Sequence, residues 1–314
     1  MSDYAIETQG LYKIFGRKAA LRDFSIQLPK GGVHAMVGSN GAGKSTLFRL
    51  LLGVSSPSAG TSRVLGLDSQ ALSPEARGRI GLVNEEHTLP VWMTVERLVA
   101  MQRAQYSRWD EGAFREVISH FHVLPEQNIG QLSRGERAGL NLAMALAQNP
   151  ELLILDEPTL GLDVVAKQVF LESLLFAADH DDCTIIYCSH QMDEIERVAE
   201  SLIVLEHGQL ASFSSLEDFC DRVSCWLVDV DAAVPLDRVP GLLQSRDVDE
   251  LRQLIVIDQD ERFQETLETL GARSVQRAPI GFDRAVNAYL NRNHHGSELQ
   301  RGSELRRGSD LQVH

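Results

Sequence analysis

Eight residues, Gly38-Ser39-Asn40-Gly41-Ala42-Gly43-Lys44-Ser45, place three glycines, a lysine and a hydroxyl in the order GxxxxGK[ST]. Glycines let a backbone fold around an anion with no Cβ in the way. The apolar run Val33 to Val37 precedes the loop, and Thr46 to Leu52 continues it with helical spacing. The N–H groups at the start of that helix then face the anion, where the dipole favours negative charge. In this chemistry Lys44 reaches the β- and γ-phosphates of a nucleotide and the Ser45 hydroxyl ligates Mg²⁺. The dinucleotide pattern GxGxxG lacks its third glycine after Gly41 and Gly43, and it leaves Lys44-Ser45 unexplained. Only 5 of the 30 basic residues are lysine, so Lys44 stands out.

A second cluster follows. Leu152-Leu-Ile-Leu reads as a buried strand that ends on Asp156-Glu157-Pro158. Carboxylates at the C-terminal end of such a strand lie beside the phosphate loop in open α/β sheets. Asp156 is the candidate Mg²⁺ ligand. Glu157 is the candidate base for an attacking water. These two clusters alone leave kinase, GTPase, motor, helicase and transporter ATPase open.

Between them lies Gln131-Leu132-Ser133-Arg134-Gly135-Glu136-Arg137, before a helical stretch from Ala138 to Ala147. LSxGx, a separation of 23 from Ser133 to Asp156, and then LDEP form the pattern of ATP-binding-cassette (ABC) ATPases. The chain resembles that superfamily over about residues 4–212. The resemblance implies ATP with Mg²⁺, bound by Gly38, Ser39, Asn40, Gly41, Ala42, Gly43, Lys44, Ser45 and Thr46. It implies that Ser133, Gly135 and Glu136 contact the nucleotide held by a second subunit. Arg134 stands where the family more usually has glycine, and Glu136 where it has glutamine. Ser133-x-x-Glu136 also fits a helix capping box, a competing structural use of both residues.

Further positions are carried over from the same resemblance. Asp163 of Leu162-Asp163 matches the loop that couples two sites across a dimer. His190 lies 34 residues after Asp156, at the place of the switch histidine that senses the γ-phosphate. Phe15 matches the aromatic that stacks on adenine, with Tyr12 as its competitor. Glu85 occupies the place of a glutamine that faces Mg²⁺. A carboxylate keeps the oxygen ligand but cannot donate as an amide can. Glu85 and Tyr106-Ser-Arg-Trp109-Asp110 resemble the type-2 exporter branch. Leu89 to Val95 then corresponds to the groove that receives a permease's coupling helix.

These residues need elements to hold them. Short branched apolar runs (Val33–Val37, Ile80–Val83, Leu152–Leu155, Thr184–Tyr187, Leu202–Leu205) alternate with helical stretches. That is the pattern of an α/β domain with a mainly parallel core sheet. Tyr4–Glu7 and Phe24–Leu28 alternate as one-sided antiparallel strands do. With the resemblance, the expected fold is a P-loop NTPase: a parallel core sheet, an antiparallel N-terminal sheet and a helical subdomain, followed by a small α+β C-terminal domain. Three segments are expected: an ATP-binding domain over 1–212, an accessory domain over 213–293, and a disordered tail over 294–314. In the accessory segment, Trp226–Val230 and Leu254–Ile257 read as strands. Phe263, Leu267 and Leu270 share one helical face, and Phe282, Val286, Tyr289 and Leu290 share another. The tail repeats Gly296-Ser-Glu-Leu, Gly302-Ser-Glu-Leu and Gly308-Ser-Asp-Leu every six residues.

A net charge of -14 argues against a broad nucleic-acid surface, so no nucleic-acid partner is expected. Four cysteines without CxxC spacing fit a reducing compartment. No apolar run approaches the roughly 18 residues of a spanning helix, and no secretory signal is visible. The resemblance implies the ATPase of an ABC transporter, of the type-2 exporter kind. It would work as a homodimer or paired with another ABC subunit. It would be cytoplasmic and reach the membrane's cytoplasmic face through a separately encoded permease. An importer ATPase and a non-transport or regulatory ATP-binding module are the competing readings.

Overall fold

The computed structural model describes residues 3–292, apart from 181–182, 232–233, 235, 237–238 and 261. The expected disordered tail, 294–314, lies outside the described residues. The chain divides into two compact units between Ser214 and Ser215.

The first unit begins with two long strands, β1 (Tyr4–Phe15) and β2 (Lys18–Pro29), longer than their alternating cores suggest. They are followed by β3 (Val33–Val37), α1 (Lys44–Leu51), β4 (Ala59–Val64), β5 (Leu67–Asp68), α2 (Pro74–Arg77) and β6 (Ile80–Asn84). A helical section holds α3 (Val95–Gln105), α4 (Glu111–Ser119) and α5 (Arg134–Ala147). The unit closes with β7 (Leu152–Asp156), α6 (Val164–His180), β8 (Thr184–Cys188), α7 (Met192–Val198), β9 (Ser201–Glu206) and β10 (Gln209–Ser215).

Two sheets result. An antiparallel sheet runs β2-β1-β4-β5, and a six-stranded sheet runs β10-β9-β3-β8-β7-β6. In the second sheet β3, β6, β7, β8 and β9 pair in parallel. Strands β3 and β8 are buried at every residue, as strands covered on both faces must be. Leu11, Phe24 and Leu28 of the antiparallel sheet, Leu47 and Leu51 of α1, and Ile154, Ile186 and Ile203 of the parallel sheet share one core. The turn from β9 to β10 is His207-Gly208, both at positive φ (48° and 82°), as a two-residue hairpin loop demands. On α5, Gly139 is needed for close approach: a Cβ there would stand 2.1 Å from the Phe121 ring.

Parallel register matters most for the chemistry. Asn84, Asp156 and Cys188 are direct neighbours on β6, β7 and β8. The residues that follow each of them therefore emerge together at the C-terminal edge of the sheet, where open α/β sheets bind ligands.

The second unit contains α8 (Leu216–Arg222), β11 (Val223–Asp229), β12 (Leu242–Val248), β13 (Leu251–Ile257), α9 (Phe263–Thr269), β14 (Ser274–Ala278) and a helix, α10, over 282–292. Its antiparallel sheet has the order β12-β13-β11-β14. Trp226, Val228, Leu254 and Val256 pack with Phe263 and Leu267 of α9. Phe219 of α8 meets Tyr289 of α10 edge-on, with ring centroids 5.5 Å apart. Strands β12 and β14 carry many polar residues and are not evident from sequence. Leu270 corrects the expected α9 face: it follows the helix as its C-cap and is 40% exposed. All four cysteines are free thiols.

Candidate functional site

The phosphate loop leaves β3 at Val37 and enters α1 at Lys44. Gly38 is required by packing, since a Cβ would lie 2.3 Å from the Leu205 carbonyl oxygen. Gly43 is required by conformation: it caps α1 at φ 115° with no side-chain cap bond. The first N–H groups of α1 are thus left for a ligand rather than for a neighbouring side chain. Lys44 Nζ donates to the Gly38 carbonyl at 2.6 Å, which holds the ammonium over its own loop.

Phe15, Lys18, Ala20, residues 40–46, Glu85, Asp156 and Glu157 line one open cavity of about 350 Å³. Phe15 is 51% exposed beside it, and Lys13 Nζ lies 5.0 Å from its ring centroid. Tyr12, the competing aromatic, is absent from the cavity lining; it pairs with Ala59 of β4.

Opposite the loop, the Ser45 hydroxyl donates to Asp156 Oδ2 at 3.2 Å. A hydroxyl and a carboxylate side by side, with Glu85 on the same cavity, are the hard oxygen donors that Mg²⁺ prefers, so the residues present fit that ion. They are too few to hold it without phosphate oxygens and water. Among the described residues no group of three or more His, Cys, Asp or Glu forms a metal cage, which agrees with that.

Glu157 has φ 51°, a left-handed backbone that costs a residue with a Cβ of order 1 kcal/mol. Its N–H donates to the Cys188 carbonyl at 2.9 Å, which ties this turn to the end of β8. Its Oε2 lies 2.8 Å from His190 Nδ1. An ionised carboxylate only accepts, so Nδ1 carries the proton of that bond. The base candidate and the switch histidine are therefore already paired.

The remaining candidates lie elsewhere. Ser133 caps α5: its Oγ accepts from the Glu136 N–H at 3.2 Å, and Glu136 Oε2 accepts from the Ser133 N–H at 2.6 Å. The capping box is therefore fully made, and the Glu136 carboxylate is engaged in it. Gly135 lies close to α6, where a Cβ would meet that of Ala166 at 2.8 Å. Asp163 caps α6, its Oδ1 accepting from the N–H groups of Val165 and Ala166 at 3.0 Å each. None of these four residues lines the Lys44 cavity. Arg134, which stands in place of glycine, donates to the Glu85 carbonyl at 3.3 Å, and its guanidinium lies against Gly161.

Two residues beside the site were not foreseen. His87 is 2% exposed at φ 44°, and its Nε2 bonds the Pro158 carbonyl at 2.8 Å. Burial holds its imidazole below the ordinary histidine range, and the Arg134 charge adds to that. The other residue, Glu194, is 1% exposed and accepts hydrogen bonds from the Thr159 and Ser189 hydroxyls, which lie close in sequence to Glu157 and His190. Neither has a spacing that a sequence pattern marks.

Comparison with known proteins bears directly on this geometry. The ABC transporter family pattern matches residues 21–160. A "Nod factor export ATP-binding protein I" of a Rhizobium species is 36% identical over 247 residues, covering 76% of this chain and 80% of that relative. The chain belongs to the ABC transporter ATP-binding proteins. As a member of that ATPase family it binds and hydrolyses ATP. A relative of the same name from Bradyrhizobium diazoefficiens is 32% identical over 261 residues, 81% of each chain. Among solved structures, an ATP-binding subunit of an ABC transporter superposes with a TM-score of 0.63 at 23% identity, over 69% of this chain and 92% of that one. A bacterial Atm1-family ABC exporter with ATP bound gives a TM-score of 0.62 at 24% identity, over 70% of this chain and 40% of that one. These likenesses show the ABC ATPase fold. No described helix is long and apolar enough to cross a membrane.

Proposed function

We propose that the chain is the ATPase of a type-2 ABC exporter and acts in an ATP-sandwich dimer on a separate permease. The observation that carries the catalytic part is the Glu157–His190 pair, 2.8 Å apart at the edge of the Lys44 cavity. Adenine stacks on Phe15, and the phosphates meet the N–H groups of residues 41–46. Lys44 exchanges the Gly38 carbonyl for phosphate oxygens. Ser45 and Asp156, with Glu85, would hold Mg²⁺, which would neutralise phosphate charge. Glu157 accepts the proton of the attacking water, and His190 holds its carboxylate in place.

The second half of the reading concerns the dimer. Ser133, Gly135, Glu136 and Asp163 do not line the cavity of their own chain, which fits a role toward a nucleotide held by another copy, although the Glu136 carboxylate is engaged in the Ser133 cap. Closure would then complete each site, and hydrolysis would reopen it. The export direction is supported by the names of the relatives. A permease contact is supported by Trp92 and Val91, which are 79% and 55% exposed within the segment Leu89–Val95. Such large apolar side chains in solvent mark a surface that a partner covers.

Glu157→Gln tests the base. We expect ATP binding to persist and steady-state phosphate release to fall roughly 10²- to 10⁴-fold, the usual worth of a general base. Normal turnover in this variant would remove Glu157 from the mechanism. Copurification of the full chain with a polytopic membrane protein tests the transport role, and a stable nucleic-acid complex instead would reverse it.

A further inference from the structure

One buried carboxylate ties together the three segments that carry Glu157, His190 and Asp163. Glu194 lies in the first turn of α7 and is 1% exposed. Its Oε2 accepts from Tyr187 Oη at 2.6 Å, Thr159 Oγ1 at 2.7 Å and Ser189 Oγ at 3.1 Å. Its Oε1 faces Lys167 Nζ at 2.9 Å. Lys167 also donates to Gln191 Oε1, and the Gln191 N–H donates to Ser189 Oγ at 3.1 Å.

The positions of these partners give the cluster its meaning. Thr159 is two residues past Glu157, in the turn that follows β7. Ser189 is the residue before His190. Lys167 lies in the first turn of α6, just past the Asp163 cap. A carboxylate this deeply buried needs a compensating charge and several donors: Oε2 has three hydroxyl donors, and Lys167 supplies the charge beside Oε1, which accepts no hydrogen bond of its own among the described residues. Burial pushes the Tyr187 hydroxyl well above its ordinary range, and the Glu194 charge adds to this, so it remains a donor. Buried networks of this kind hold one geometry because each unmade bond is costly in a low-dielectric interior.

We propose that Glu194 is a positioning residue for ATP hydrolysis. It holds the Thr159 turn and the Ser189 loop in the one arrangement that keeps Glu157 and His190 in contact, and through Lys167 it links that arrangement to the helix behind Asp163. This rests on Glu157 being the base. The same carboxylate gives a route from the dimer-facing Asp163 loop to the hydrolytic pair. A change at one segment alters the donors available to the other two.

The test compares Glu194→Gln, Ser189→Ala and His190→Ala in the full-length chain, reading ATP affinity, kcat and folding together. Glutamine keeps the size of Glu194 but loses its charge and half of its acceptor capacity. Expected for Glu194→Gln is a kcat lower by roughly 10- to 100-fold, as small misplacements of catalytic groups give, with ATP affinity unchanged within about threefold. Ser189→Ala removes one donor and should lower kcat several-fold with a native melting curve. In a His190→Ala background, Glu194→Gln should add less than about twofold, because both act through one pair. A merely structural Glu194 would lower stability and leave the kcat of the folded protein intact; a Glu194 that acts on kcat independently of the pair would multiply its effect with that of His190→Ala. Either result overturns the proposal. Should Glu194→Gln fail to fold, wild-type kcat in both Ser189→Ala and Tyr187→Phe overturns it as well. The parallel Glu157→Gln assay separates the two levels. Normal turnover there removes the base and this inference with it, whereas lost turnover there with a wild-type Glu194→Gln removes this inference alone.

Discussion

In the proposed dimer the helix starts at Lys44 and at Arg134 both serve nucleotide, yet they are finished in opposite ways. At α1 the cap is Gly43 in a left-handed conformation, with no side-chain cap bond and no acid in the first turn. At α5 the cap is a complete Ser133–Glu136 box. The first start leaves its N–H donors for an anion to satisfy. The second satisfies two donors itself and offers something else. The Ser133 oxygen is occupied as an acceptor, but its O–H remains to donate. In the proposed dimer, an uncapped start suits direct contact with the phosphates; a capped start would hold its shape while the partner is absent and would supply a contact only when a second chain closes. The two starts thus match a site made in halves.

The strongest way to break that comparison is complementation. Lys44→Ala disables the first half and Gly135→Asp the second, and each variant alone should lose nearly all turnover. Mixed in equal amounts, random pairing makes about half the dimers heterologous, each with one intact composite site. Recovery of up to about a quarter of the normal rate is expected, read as phosphate release against mixing ratio. Mixtures as inactive as their parents would mean that the two starts do not meet in one site.

A smaller effect sharpens the role of the cap. Ser133→Ala should cost about 1 kcal/mol of stability, as lost N-caps do, measured as a lower urea midpoint. ATP binding by the isolated chain should be unaffected. Glu136→Gln keeps the capping box, because either side chain can reach back to the cap N–H. It should leave the midpoint unchanged and raise the dimer's ATP affinity by removing a negative charge from the phosphate-facing start. A marked stability loss in Glu136→Gln would contradict the capping account.

On the first half-site, Phe15→Ala should weaken ATP binding by about 2- to 10-fold, the worth of one aromatic stacking contact, in a titration with a fluorescent nucleotide. Tyr12→Ala should leave affinity unchanged, since Tyr12 does not line the cavity. The reverse pattern would exchange their roles.

The smallest effect lies at the opposite end of β7. Glu151, just before that strand, is bonded by Arg79 at 2.7 and 2.5 Å and by Arg108 at 2.7 Å. These bonds, Arg79 first, hold its carboxyl down at about 2. A depressed acid contributes stability that is full above its unfolded value and is lost as pH falls toward the folded one. Urea midpoints should therefore decline between about pH 4.5 and pH 2, and the decline should be shallower in Glu151→Gln. The groups are partly solvated, so the change is a modest one.

Much of the first unit was legible because its signals are local. A glycine-rich turn between an apolar strand and a helix, or a pair of acids that ends an apolar run, carries its meaning within ten residues. Lys44, Ser45, Asp156, Glu157 and His190 were singled out as candidates that way or by family spacing. The second unit was less legible. Gln244, Ser245, Arg246 and Asp247 make β12 a polar edge strand whose pairing to β13 is specified only by its neighbour. Glu194 and His87 escaped for a related reason. Within Met192-Asp-Glu-Ile-Glu, Glu194 reads as one of three acids on a short helix, and only the packing of α7 shows which one is buried.

By itself the sequence determined which chemistry is possible: the phosphate loop, the two acids, the histidine and the order in which strands carry them. Those features depend on residue type and short spacing, which chain connectivity preserves. Tertiary structure alone decided which groups touch. Parallel register brought Glu85, Glu157 and Ser189 to one edge, since Asn84, Asp156 and Cys188 are paired across three strands. It also set Glu157 against His190, engaged Glu136 in a cap, and buried Glu194 under three hydroxyls and a lysine. Contacts between residues far apart in the chain, such as Ser45 with Asp156 at a separation of 111 positions, arise from how sheets and helices pack, and no local pattern encodes them.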